Sequence, residues 1–209
     1  MKNTAYIFFN GIMDTKNIFY KKILKDKRNI FCADGGLKYA LELNLTPLEL
    51  WGDLDSIDST LVEKARKLGT SIVEFNSRKN FTDGELIVNE ISKKNYDEIF
   101  VLGGLGGRTD HLLTNLNLLF KYDNLYFLGE NEIVFKVKDN YTIENQIDKT
   151  ISFVPMSDEV KGLTLTGFEY PLHNHTLKRG DSLCMSNIIK KEKAVINFNS
   201  GKILGILQL

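Results

Sequence analysis

The chain has 209 residues, 43% of them hydrophobic, and its 27 basic and 27 acidic side chains give a formal net charge of +0. That length suits one large or two small domains with a buried core, and the charge balance lacks the basic footprint of a general nucleic-acid binder, so no nucleic-acid partner is expected. No stretch approaches the roughly 18 apolar residues of a membrane span, the N-terminal apolar run is too short for a signal peptide, and Cys32 and Cys184 lie too far apart for a zinc or disulfide motif, so the expected setting is a reducing cytoplasm without membrane contact.

Short apolar runs at 6–9, 30–33, 48–51, 72–75, 99–102 and 125–128 alternate with longer segments of helical period. Strands alternating with helices predict a mostly parallel sheet with helices on both faces, and ligands of such sheets bind beyond the carboxyl ends of the strands. From about residue 131 the pattern changes to β-type alternation at 133–137, 150–154, 163–165, 194–198 and 203–207. Turn signals at Asp139-Asn140, Arg179-Gly180-Asp181 and Asn199-Ser200-Gly201 separate these runs, which predicts an antiparallel β-sandwich. The expected fold class is therefore α/β followed by a β-sandwich, with domains 1–130 and 131–209. His173 and His175 fall in a polar connection and read as solvated loop residues.

The candidate chemistry lies where the N-terminal runs end. The first is followed by Asn10-Gly11, the second by Asp34-Gly35-Gly36, and the third by Gly52-Asp53-Leu54-Asp55-Ser56. Asp53 and Asp55 are two apart and can point the same way. Such close like charges repel unless a cation sits between them, and hard oxygen ligands suit Mg²⁺, which substrate phosphates usually complete. The alternative is a turn with a helix-capping aspartate, and capping is the better reading for Ser56 or Asp58 ahead of a helix at about 58–68. In Lys79-Asn80-Phe81-Thr82-Asp83-Gly84-Glu85, either Thr82 or Asp83 simply caps the next helix, with Glu85 in its first turn, or Asp83 adds a third carboxylate to the rim, with Lys79 as a point charge.

After the run at 99–102 comes Gly103-Gly104-Leu105-Gly106-Gly107-Arg108-Thr109-Asp110-His111. Glycines let a ligand approach the main chain, and the helical spacing of 112–120 puts this loop at a helix N-terminus, where anions bind. The alternative is a plain strand-to-helix turn. Lysine outnumbers arginine 22 to 5, so Arg108 suggests that the bidentate fork is wanted for phosphate or carboxylate. Asp110 reads equally as its simple salt-bridge partner. His111 orients a neighbour or caps the helix.

As an ordered set, Ala33-Asp34-Gly35-Gly36, Gly52 to Ser56, Lys79 with Thr82-Asp83, and Gly103 to His111 resemble the motifs of the thiamine pyrophosphokinase family. The β-rich remainder resembles that family's second domain, with Ser186-Asn187 matching a short motif near the substrate and 167–172 a looser segment. The resemblance implies transfer of a pyrophosphoryl group from ATP to the hydroxyl of thiamine, releasing AMP. It implies Mg²⁺ held by Asp53, Asp55 and Asp83 with the ATP phosphates, and nucleotide contacts from Asn10, Asp34, Gly35, Gly36, Lys79, Thr82 and the glycine loop. Arg108 and Asp110 would bind and orient nucleotide and thiamine, with Asp83 or Asp110 near the reacting hydroxyl. A homodimer with sites between subunits is implied too, so that Ser186 and Asn187 could serve the other chain's site. Where the family commonly carries Lys-Asp, this chain has Lys79-Asn80. Trp51, Phe168 and Tyr170 are the aromatics that could stack on thiamine. Two rival readings are a metal-dependent nucleotide-sugar transferase, which leaves the glycine loop unexplained, and a thiamine or nucleotide sensor without turnover.

Overall fold

Apolar runs that lack polar alternation become strands covered on both faces, and the first two do so completely. The computed structural model describes residues 2–55, 57–75 and 81–209. All but the first residue of β1 (Thr4–Phe8), and every residue of β2 (Ile30–Ala33), is buried. Each large apolar side chain so removed from water contributes about 1.5–3 kcal/mol. Four further parallel strands follow, β3 (Glu49–Gly52), β4 (Ser71–Glu74), β5 (Glu98–Leu102) and β6 (Leu125–Leu128). They pair in the order β6-β5-β1-β2-β3-β4. Each predicted N-terminal run overlaps one of these strands.

The intervening helices are α1 (Ile18–Ile23), α2 (Leu37–Glu42), α3 (Ser59–Lys67), α4 (Asp83–Ser92) and α5 (Thr109–Leu118). The buried stripe of α4, Ile87, Val88 and Ile91, has the i, i+4 spacing of one helix face, and α4 packs on β2 and β3. Asp58 caps α3, its side chain accepting from Thr60 N at 2.8 Å. Thr82 caps α4 by accepting from Glu85 N at 3.1 Å. Among the described residues no helix is long and apolar enough to cross a membrane.

The chain divides into compact units at Met1–Glu130 and Asn131–Leu209. The second holds β7 (Glu132–Val137), β8 (Tyr141–Glu144), β9 (Thr150–Pro155), β10 (Glu159–Thr166), β11 (Leu172–Lys178), β12 (Asn187–Ile188), β13 (Lys193–Asn197) and β14 (Ile203–Gln208). These form two antiparallel sets, β12-β9-β14-β7 and β11-β10-β13-β8. Aromatic pairs join the sets, with Phe135 stacked on Tyr141 at 5.3 Å and Phe153 edge-on to Phe168 at 5.6 Å.

One sequence reading needs correction. His173 and His175 are not loop residues but belong to β11, an edge strand whose only fully buried side chain is Leu177. An edge strand with a mostly solvated surface carries polar residues at positions that alternation would otherwise mark as apolar.

Candidate active site

Strand order locates the site before any side chain is considered. From β1 the sheet runs one way through β2, β3 and β4 and the other way through β5 and β6, so the topological switch lies between β1 and β5, where open α/β sheets hold their ligands. Just past these two strands the backbones cross closely. Phe9 N donates to Leu102 O at 2.8 Å and Gly11 N to Gly103 O at 2.9 Å. Gly103 has φ 67°, and a Cβ there would stand 2.6 Å from Phe9 O, so the crossing admits no side chain. The Tyr39 hydroxyl donates to Gly11 O from beneath.

A cleft of about 520 Å³ opens at this crossing. It gathers Asn10, Asp34, Thr82 and Asp83 from three strand ends or helix starts with Gly103, Gly104, Gly106, Gly107 and Arg108 of the glycine loop. Nine sequence-predicted residues thus share one wall. Thr82 caps α4 and also lines the cleft. Gly35 lies behind the wall, where a Cβ would come within 2.4 Å of the Asn10 amide, and Gly36 is buried beside it. Lys79, Asn80 and Ser56 lie outside the described residues. Sequence reasoning did not single out Ile12 and Asn115, which also line the cleft.

The glycine loop is pinned at its start and open at its tip. Gly104 O accepts from Asn115 Nδ2 at 3.0 Å. Among the described residues no hydrogen bond engages the N–H groups of Leu105, Gly106 or Gly107, and α5 begins after Arg108 with no side-chain cap. Unpartnered N–H groups at a helix start are an anion cradle. Arg108 grips Asp110 with two prongs, Nε to Oδ1 at 3.1 Å and Nη2 to Oδ2 at 2.6 Å, and Asp110 also accepts from His111 N at 2.9 Å. These bonds, the Arg108 guanidinium first, hold the Asp110 carboxyl down at about 2. Arg108 and Asp110 thus form a salt bridge in the structure.

Asp53 and Asp55 sit next to the cleft, past the end of β3. Asp34 connects them to it, because a Cβ on Gly52 would stand 3.2 Å from Asp34 Oδ1. Leu54, between the two aspartates, has φ 61°, and Asp34 has φ 46°. Left-handed backbone at residues other than glycine costs on the order of 1–3 kcal/mol and collects at functional sites. The Asp55 carboxyl is raised, chiefly by hydrogen bonding to and charge repulsion from Asp53, then by slight desolvation and the charges of Asp34 and Asp83. Among the described residues no lysine or arginine pairs with Asp53 or Asp55. Nor do three acidic, histidine or cysteine side chains converge as a complete ligand set. The chemistry of the pair fits Mg²⁺, which needs only one or two carboxylates when phosphate oxygens and water fill the other positions.

In the C-terminal unit, Ser186 has φ 52° and its N–H donates to Ser152 Oγ at 2.9 Å. Asn187 is 2% exposed and fully engaged. Its Oδ1 accepts from Tyr170 N at 3.0 Å and Ile188 N at 2.9 Å, and its Nδ2 donates to Tyr170 O at 2.8 Å. Of the three candidate stacking rings, Phe168 is buried, Trp51 is half-buried with its Nε1 on Glu49, and Tyr170 is exposed.

Comparison with known proteins finds matches in both units of the chain. A family model described as "Thiamin pyrophosphokinase, catalytic domain" matches residues 20–127, and one described as "Thiamin pyrophosphokinase, vitamin B1 binding domain" matches residues 140–203. The thiamine pyrophosphokinase of Bacillus subtilis (strain 168) is 33% identical over 180 residues, covering 83% of this chain and 84% of that protein. Thiamine pyrophosphokinase 1 of Oryza sativa subsp. japonica is 28% identical over 197 residues, covering 81% of this chain and 75% of that protein. The crystal structure of thiamine pyrophosphokinase from Bacillus subtilis matches with a TM-score of 0.85 at 28% identity, covering 98% of each chain.

Proposed function

This chain belongs to the thiamin pyrophosphokinase family, and from that premise we infer its reaction: the hydroxyl oxygen of thiamine attacks the β-phosphorus of ATP, the bond from that phosphorus to the α-phosphate oxygen breaks, and AMP leaves. The products are thiamine diphosphate and AMP, with the hydroxyl proton passing to a carboxylate or to water. The observation that carries this reading is the cleft at the β1–β5 switch, where an anion cradle faces a rim of carboxylates.

Transfer of this kind asks little covalent chemistry of a protein; it is accelerated by positioning and by neutralising charge on the transferring group. Gly106 and Gly107 would donate their N–H groups to phosphate oxygens, and Arg108 would exchange Asp110 for phosphate when nucleotide enters. Asp53 and Asp55 would hold Mg²⁺ through carboxylate oxygens, with phosphate oxygens completing its shell. The ion would supply Lewis-acid stabilisation of charge on the transferring phosphates. Asp83 lines the cleft and would join Asp53 and Asp55 in holding the ion, and Asp83 or Asp110 would accept the thiamine proton. Asn10, Asp34, Gly35, Gly36, Lys79 and Thr82 would shape and charge the nucleotide side.

We further propose that the protein works in the cytoplasm as a homodimer. In that assembly Ser186 would contact thiamine, and Asn187 would act by holding the Tyr170 backbone in place.

The test is chromatography of nucleotides after incubating the purified protein with Mg²⁺, ATP and thiamine, against a control lacking thiamine. Thiamine-dependent AMP with matching thiamine diphosphate is expected. Accumulation of ADP would mean attack at the γ-phosphorus and overturn the reading, and binding without turnover would make the protein a sensor.

A further inference from the structure

We infer that Asn115 is a positioning residue for nucleotide, setting the glycine loop against α5 so that the anion cradle is formed before ATP arrives. This rests on the reading of the cleft as the ATP site.

Asn115 is a poorer helix former than alanine, and no local bond explains its place on α5. Asn117, two residues on, differs: its Nδ2 returns to Leu113 O of the same helix at 2.9 Å and the residue is exposed. Asn115 is half-buried, lines the cleft one turn after His111, and reaches across eleven residues of sequence to Gly104 O. Gly104 is held from its other side as well, because a Cβ there would lie 2.5 Å from the Phe127 ring. The preceding carbonyl, Gly103 O, is tied to Gly11 N. Two successive loop carbonyls are thus fixed, one to the segment after β1 and one to α5, while the following N–H groups stay open. Without the Asn115 bond the loop must be ordered by the nucleotide itself, which weakens binding in ground and transition states alike and raises KM with little change in kcat.

The experiment compares wild type with Asn115→Ala, with Asn115→Leu, which keeps the volume, and with Asn117→Ala as control. KM for ATP, KM for thiamine, kcat and melting temperature are measured for each. Both Asn115 variants should raise KM for ATP roughly five- to tenfold, the effect of one lost hydrogen bond. KM for thiamine and kcat should stay within about twofold, and Asn117→Ala should match wild type. A KM for ATP within twofold of wild type in either folded Asn115 variant overturns the inference. Should neither variant fold, the Asn115 side-chain amide of wild type decides by nuclear magnetic resonance: slowed proton exchange supports the bond, and free exchange overturns it. Should wild type form no AMP, the functional reading falls by itself, and titration of each variant with Mg²⁺ and ATP, without thiamine, reads the nucleotide effect directly.

Discussion

The rim of the parallel sheet and the Ser186–Asn187 corner of the C-terminal unit were both candidate sites, and they are built on opposite plans. At the rim, like charges crowd and main-chain donors of the glycine loop stay open among the described residues. Asp53 and Asp55 repel one another, Leu54 and Asp34 hold left-handed backbone, and the loop N–H groups have no acceptor among the described residues. At the corner, the polar groups of Asn187 are already satisfied by the chain itself. A site prepared for a charged ligand carries unfavourable terms that the ligand removes, whereas an anchoring corner carries none. The rim should therefore respond to substitution in activity, and the corner in stability.

The largest expected effect lies at the rim. Asp53→Asn or Asp55→Asn should lower turnover about 10²-fold or more, as for loss of an electrostatic stabiliser, and near-normal activity in both would remove the metal assignment. In magnesium-free buffer Asp55→Asn should melt no lower than wild type, because the substitution relieves repulsion; added Mg²⁺ with ATP should raise the melting temperature of wild type and not of the variant. A clear loss of stability without ligand would break the contrast drawn above.

At the corner the order reverses. Asn187→Ala removes three hydrogen bonds to the backbone of Tyr170 and Ile188 and should cost about 2–3 kcal/mol, read as a fall in melting temperature of roughly 4–12 °C. Any loss of activity should appear in KM for thiamine and leave KM for ATP unchanged. A variant of unchanged stability with abolished turnover would mean that Asn187 touches the reacting groups.

The smallest effect sharpens the rim alone. The Asp110 carboxyl should titrate at about 2, and in Arg108→Gln it should rise toward its ordinary value near 3.9, followed by nuclear magnetic resonance. A depressed carboxyl favours the folded state above its unfolded pKa, and that contribution is lost as pH falls toward 2. Because both side chains are exposed, acid unfolding should hardly shift.

Much of this was legible in the sequence because two strong signals coincide. Strands buried on both faces read as continuous apolar runs, and Asn10, Asp34 and Gly103 follow such runs closely, so the fold class and the clustering of one wall could be read together. Polar strands escaped. β8 is short, β12 has two residues, and β11 reads Leu-His-Asn-His-Thr-Leu-Lys at a sheet edge, where solvent removes the period that marks a strand. Asn115 escaped for another reason. Its bond to Gly104 is tertiary, and helical periodicity reports the buried stripe of a helix without saying which polar residue reaches back to a loop. The backbone of Leu54 could not be foreseen either, since nothing in leucine favours φ above zero.

The register of the sheet also acts as a ruler. Phe8 lies opposite both Leu102 and Cys32, and Ala33 opposite Trp51, so β5, β1, β2 and β3 end nearly level. Neighbouring strands stand about 4.8 Å apart, which puts the ends of β5 and β3, three spacings apart, about 14 Å from each other along the edge. A single phosphate cannot bridge that gap. A ligand that touched the segments after both β5 and β3 would have to span several strand ends, so reach becomes a criterion of admission alongside charge.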